Sequence, residues 1–184
     1  ESRLTAELID ELDIKNIFLA TGSSWRKDGI GRSRRNPIQG LETINVYSPE
    51  EAVENYKDFN GPLVIYDDEQ GYLAGVVADH LNDKNIEVIF VTPASVVSPW
   101  TDSTLEQKRV QRALINSGVK IICNQSISKV ENDKAFLECT YTGTITKIPC
   151  ESIVMVTERI SDNELYDGLT QSNLEEKKQY NIKL

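Results

Sequence analysis

Residues 62–93 constrain the fold of this chain more than any other stretch. Leu63, Val64, Ile65 and Tyr66 form a short apolar run with Gly61-Pro62 in front and Asp67-Asp68 behind, the pattern of a strand buried in a parallel sheet. Apolar residues then fall at Leu73, Val76, Val77 and Leu81, spaced as the stripe of a helix lying on a sheet. Residues 86–91, Ile-Glu-Val-Ile-Phe-Val, supply a second buried strand. Strand, helix and parallel strand make a βαβ unit, the opening of a dinucleotide-binding fold.

The first turn of this unit departs from a working dinucleotide site. Such a site takes G-x-G-x-x-G, so that bare backbone approaches the pyrophosphate at the helix N-terminus. Here Gly71 alone is well placed, with Ala74 three residues on, and Asp67, Asp68 and Glu69 stand where the phosphates would lie. Two unit charges about 4 Å apart interact by roughly 4 kcal/mol at an effective dielectric of 20, so the loop is expected to repel a pyrophosphate. The second strand ends in Val91-Thr92, without the carboxylate that holds a ribose hydroxyl. The pattern predicts a Rossmann scaffold whose nucleotide site has been lost, with Gly71 a weak cofactor-binding candidate.

Around this unit the rest of the chain falls into place. Thr5 is positioned to cap a short helix carrying Leu4, Leu8, Ile9 and Leu12, followed by a strand at Ile17-Phe18-Leu19 that has no evident sheet to join. A polar loop follows, in which Arg26, Lys27, Arg32, Arg34 and Arg35 cluster near Trp25; a solvated surface connection and a grip on an anion or another domain are both open readings. Ser48-Pro49-Glu50-Glu51 reads as a capping box with proline at the first helical position, and residues 103–106, Ser-Thr-Leu-Glu, as a second one opening a helix stopped by Gly118. Residues 119–123 give a third parallel strand. Residues 126–131, 134–141 and 144–148 alternate polar and apolar around turns at Asn132-Asp133 and Thr142-Gly143, an antiparallel meander. Residues 152–157 return to the parallel sheet, and 161–184 read as a polar connection with a helix at 173–180. The expected fold is α/β: a three-layer Rossmann-like domain with a parallel sheet plus a three-stranded antiparallel meander. The expected divisions are 1–47, the end of a preceding domain with its connecting loop; 48–160, the Rossmann domain; and 161–184, a connection onward.

Composition removes several classes of function. Twenty basic residues against twenty-nine acidic ones give a net charge of −9, which opposes binding to nucleic-acid phosphates. No apolar run is long enough for a membrane helix and no charged-then-apolar leader is present, so the expected compartment is the cytoplasm. Cys123, Cys139 and Cys150 show no C-x-x-C spacing and read as buried free thiols rather than disulfides or cluster ligands. His80 is the one histidine, which removes histidine-based triads and multi-histidine metal sites. No catalytic residue and no metal ligand is assigned.

Five stretches carry a further resemblance: 18–25 (Phe-Leu-Ala-Thr-Gly-Ser-Ser-Trp), 28–32, 36–40, 64–69, and above all 91–107, Val-Thr-Pro-Ala-Ser-Val-Val-Ser-Pro-Trp-Thr-Asp-Ser-Thr-Leu-Glu-Gln, which no generic Rossmann fold requires. Through them most of residues 15–169 resembles the C-terminal dinucleotide-fold region of the trimethylamine dehydrogenase-like flavoproteins, and the domain type is that of the NADPH domain of pyridine-nucleotide disulfide reductases. The resemblance implies a parent with a barrel holding FMN, a [4Fe-4S] cluster, two dinucleotide-fold domains and a homodimeric assembly. It implies that ADP can sit in the first of those domains near Ala20, Thr21 and Gly22. It further implies that this segment, without barrel or cluster ligands, binds no cofactor and is not catalytic alone, its partners being the missing barrel and FAD-like domains. The basic loop near Trp25 is then expected to bridge the dinucleotide-fold domains or to pack on the barrel, and to be poorly ordered in the segment by itself. The alternative reading is a functional NAD(P)H-binding domain of a reductase related to dienoyl-CoA reductases.

Overall fold

The computed structural model describes residues 4–59, 61–176 and 181–183. In chain order the elements are α1 (Ala6–Glu11), β1 (Asn16–Phe18), β2 (Ser23–Trp25), β3 (Asn45–Tyr47), α2 (Pro49–Glu54), β4 (Leu63–Asp67), α3 (Leu73–Asn82), β5 (Val88–Val91), α4 (Gln107–Asn116), β6 (Lys120–Ile122), β7 (Gln125–Val130), β8 (Lys134–Cys139), β9 (Ile145–Pro149), β10 (Ser152–Val156), β11 (Arg159–Ser161), α5 (Glu164–Glu176) and β12 (Asn181–Lys183). They divide into two compact units, 25–158 and 1–24 with 159–184.

The larger unit is built on a five-stranded sheet in the order β3-β10-β4-β5-β6, every pairing parallel. All five residues of β4 and all four of β5 are buried, as strands covered on both faces must be. One face carries α2, α3 and α4 over Leu63, Ile65, Phe90 and Val154; the other carries the antiparallel sheet β7-β8-β9 over Val64, Tyr66, Ile89 and Met155. These are the three layers expected from the hydrophobic pattern.

Local details depart from that pattern in instructive ways. On α3 the buried side chains are Ala74, Val77, Ala78 and Leu81, while Val76 points outward. The small residues set this rotation: Gly75 lets α3 approach α4 so closely that a Cβ would run into Val110. The first capping box forms as expected, with the Glu51 amide donating to Ser48 Oγ at 3.2 Å and the Ser48 amide to Glu51 Oε2 at 2.8 Å. The second does not. Leu105 is left-handed (φ 62°), Thr104 Oγ1 turns to the Thr101 carbonyl and to Glu106, and the helix begins only at Gln107.

Residues 25–40 are tied into the larger unit by packing and by hydrogen bonds. Trp25 is buried in the helical-face core with its indole N–H on Glu50 (2.9 Å), and Ile38 is buried beneath the meander. Arg34 donates to the carbonyls of Asn36, Ile127 and Ser128, and the Val130 amide donates to the Gln39 carbonyl at 2.8 Å. The boundary drawn at residue 47 therefore moves, because 25–47 lies inside the larger unit.

In the smaller unit β1 finds the partner that the sequence did not reveal. Residues 16–18 pair in parallel with β12, Asn16 opposite Asn181 and Phe18 opposite Lys183. Ile9, Ile17 and Leu169 form its core, and Thr5 caps α1 through the Leu8 amide. Residues 164–176 and 181–183 are thus a helix and a strand of this unit rather than a plain connection, and the rest of the expected 173–180 segment lies outside the described residues.

Candidate functional site

In an open parallel sheet a ligand sits outside the carboxyl ends of the strands, where the chain connections reverse direction. That point falls between β4 and β10, because β4 leads outward to β5 and β6 while β10 returns along its other edge. The site is therefore the turn at 67–72 with the end of β10.

Asp67 closes β4 and has no exposed surface. Its Oδ1 accepts the Gln70 amide at 2.7 Å, and Oδ2 has no hydrogen-bond partner among the described residues. Burial pushes the carboxyl up to about 8 against the pull of that amide, with the nearby Glu69 and Asp68 charges adding to the rise. Burial thus favours the protonated form of Asp67 near neutral pH. Asp68 is also fully buried, and Ser33 donates to it twice, from the amide to Oδ2 (2.9 Å) and from the hydroxyl to Oδ1 (2.7 Å). Burial raises its carboxyl as well, and the two Ser33 bonds oppose the rise.

The backbone of the turn is equally committed. The amides of Asp68 and Glu69 both donate to the Val156 carbonyl at 2.9 Å, the Gln70 amide to Asp67, and the Gly71 amide to Glu69 Oε2 at 2.9 Å. A phosphate cradle draws on free N–H groups of the turn and of the helix start, and the four turn amides that precede α3 are spent. The space above them is filled by residues 31–33. A Cβ on Gly31 would stand 2.5 Å from Asp68 Oδ2 and 3.2 Å from Thr157 Cβ, so only glycine lets the loop come this near. Arg32 donates from Nε to the Glu69 carbonyl (3.1 Å) and lays its guanidinium over the Trp100 ring, 4.9 Å from the centroid.

The expected cause of closure was therefore incomplete. The three carboxylates do not simply line the turn as free charges: burial drives Asp67 toward its protonated form, Ser33 caps Asp68, and Glu69 accepts from the Gly71 amide. The seating of residues 31–33 and the committed amides of 68–71, rather than charge alone, set this turn apart from a phosphate cradle. Sequence reasoning did not assign Gly31, Arg32 and Ser33 to this turn; it marked Arg32 only as part of the basic cluster and residues 28–32 only as a stretch of the resemblance.

The other candidates, Ala20, Thr21 and Gly22, belong to the smaller unit and are exposed. Thr21 Oγ1 donates to the Asp162 carbonyl (2.6 Å), and the Asp162 amide to the Gly22 carbonyl (3.0 Å). Gly22 has φ 79°, and a Cβ added there would meet nothing within 4 Å, so glycine is needed for its backbone angle and the approach is open. Among the described residues no group of His, Cys, Asp and Glu could hold a metal ion, and none of the three cysteines is in a disulfide. Only Cys150 is buried, its thiol pushed up to about 12; Cys123 and Cys139 are partly exposed. No helix among the described residues is long and apolar enough to cross a membrane.

No family profile matches the chain. Histamine dehydrogenase from Rhizobium sp. 4-9 superposes on 99% of it with a TM-score of 0.89 and 31% identity, over 29% of the enzyme's own chain. The chain is similar to the dinucleotide-fold region of trimethylamine dehydrogenase-like enzymes. The 6-hydroxypseudooxynicotine amine oxidase from Pseudomonas geniculata N1 gives the same TM-score of 0.89 at 28% identity, covering 99% of this chain and 27% of that one. Dimethylamine dehydrogenase of Hyphomicrobium sp. (strain x) is 24% identical over 187 residues, 90% of this chain and 25% of the enzyme. The chain thus spans between a quarter and a third of the length of these relatives. More distant pyridine-nucleotide disulfide reductases share the fold alone.

Proposed function

We propose that these residues are the dinucleotide-fold region of a larger flavin-dependent amine dehydrogenase, and that the Rossmann unit serves there as a scaffold rather than as a nucleotide site. The observation that carries this reading is the self-filled crevice at 67–71 within a chain that matches histamine dehydrogenase over 99% of its length. FMN and a [4Fe-4S] cluster would belong to other parts of that polypeptide, since the described residues offer no ligand cluster and Cys150 is buried with a thiol that resists ionisation. Ala20, Thr21 and Gly22 would let an adenine nucleotide such as ADP approach the smaller unit, and the open space at Gly22 supports this. A homodimeric, cytoplasmic parent completes the reading.

The test is made on the full-length protein. Anaerobic addition of histamine or dimethylamine should bleach a bound flavin without NADH or NADPH. A protein without flavin, or one reduced only when a pyridine nucleotide is added, would overturn the proposal and favour the reductase alternative.

A further inference from the structure

The segment between β5 and α4 is held by its own hydrogen bonds and yet turns its largest apolar side chains outward. Thr101 Oγ1 donates to the Ser98 carbonyl (2.7 Å), the Glu106 amide to the Thr101 carbonyl (3.0 Å), and the Gln107 side chain to the Val97 carbonyl (3.0 Å). Within this frame Ser98 (φ 51°) and Leu105 (φ 62°) are left-handed, a conformation that a leucine adopts at an energetic cost. Trp100 is nevertheless 60% exposed and Leu105 89%. The Trp100 amide donates to the Gln70 carbonyl at 3.2 Å, which joins the segment to the start of α3, where Tyr72 (59%) and Val76 (49%) are also exposed. Single exposed apolar residues are ordinary. Four of them on two hydrogen-bonded segments, one on strained backbone and one a tryptophan stacked by Arg32, have the composition of an interface centre.

We propose that this face docks against the part of the parent polypeptide that lies outside these 184 residues. The proposal rests on the reading that the chain belongs to a larger enzyme. In histamine dehydrogenase the matched region is 29% of the chain, leaving 71% (100% − 29%) to be seated against it. A covalently linked neighbour meets the face at an effective concentration in the millimolar range, so a patch of a few side chains suffices.

Hydroxyl-radical footprinting of the full-length protein, native and unfolded in urea, tests this. Trp100 and Leu105 should be oxidised roughly fivefold more slowly in the native protein, as for side chains packed in an interface core, and Leu105→Asp in the full-length protein should restore Trp100 oxidation while circular dichroism stays unchanged. Native rates within about twofold of the unfolded ones, matching the exposure seen here, would overturn the proposal. So would protection that fades on dilution, which would assign the face to a second copy. Amine-driven flavin reduction is scored separately: its failure with Trp100 protected removes the enzymatic reading alone, and its success with Trp100 reactive removes the docking surface alone.

Discussion

Replacing Asp67 with asparagine should stabilise the Rossmann unit at neutral pH and lose that advantage in acid. In the unfolded chain this carboxyl titrates near 3.8, whereas in the folded protein burial holds it at about 8. Between those values the folded state binds a proton that the unfolded state has released, so stability falls as pH rises, by up to about 1.4 kcal/mol per unit. At pH 7 roughly three units of that window have been crossed, a penalty on the order of 4 kcal/mol. Asparagine keeps an oxygen for the Gln70 amide at 2.7 Å, but places an NH2 where Oδ2 has no partner, which costs about 1–3 kcal/mol. The net gain at pH 7 is therefore about 1–3 kcal/mol, or a melting temperature higher by roughly 3 °C per kcal/mol. The assay is calorimetric melting of both proteins from pH 4.5 to 8.5. Taking the difference between them cancels contributions common to both proteins to a first approximation. Parallel curves, with the asparagine variant less stable throughout, would show that Asp67 is ionised in the fold and would refute the reasoning.

Three smaller tests address the frame around the site. Arg34→Ala removes donors to the Ile127 and Ser128 carbonyls and should cost about 2 kcal/mol and speed amide exchange across 29–38, whereas Arg35→Ala, at an exposed position, should stay within about 0.5 kcal/mol in the same denaturation assay. Gly40→Ala forces a left-handed Cβ (φ 83°) into the Val130 carbonyl and should cost about 3 kcal/mol or prevent folding, read by urea denaturation. Ser48→Ala breaks the capping box that starts α2 and should cost about 1 kcal/mol in the same assay.

The layers of the larger unit were legible because their signals are periodic: two-sided burial in β4 and β5, alternation in β7 to β9, and the Ser48 to Glu51 box all depend on residue spacing. What was not legible depends on tertiary partners. A charged loop gives no sequence sign that Arg34 will reach carbonyls more than 90 residues away, so the sequence leaves the basic loop near Trp25 open between a solvated connection and a grip on an anion or another domain. The capping motif at 103–106 lost to the left-handed turn at Leu105. The strand at 181–183 is too short to announce itself, and only its pairing with β1 explains why residues 16–18 are extended. The acidic run at 67–69 reads in the sequence as a charged turn, whereas its burial and its bonds to Ser33 come from tertiary partners that the sequence does not show.

The closed crevice is tested most directly by calorimetric titration of the folded protein with NADH and with NADPH at pH 7. With the amides of 68–71 committed and residues 31–33 seated above them, no binding tighter than about 100 µM, roughly −5.5 kcal/mol, is expected for either nucleotide. A dissociation constant near 10 µM, accompanied by faster amide exchange at Gly31 and Ser33 as the loop is displaced, would contradict it.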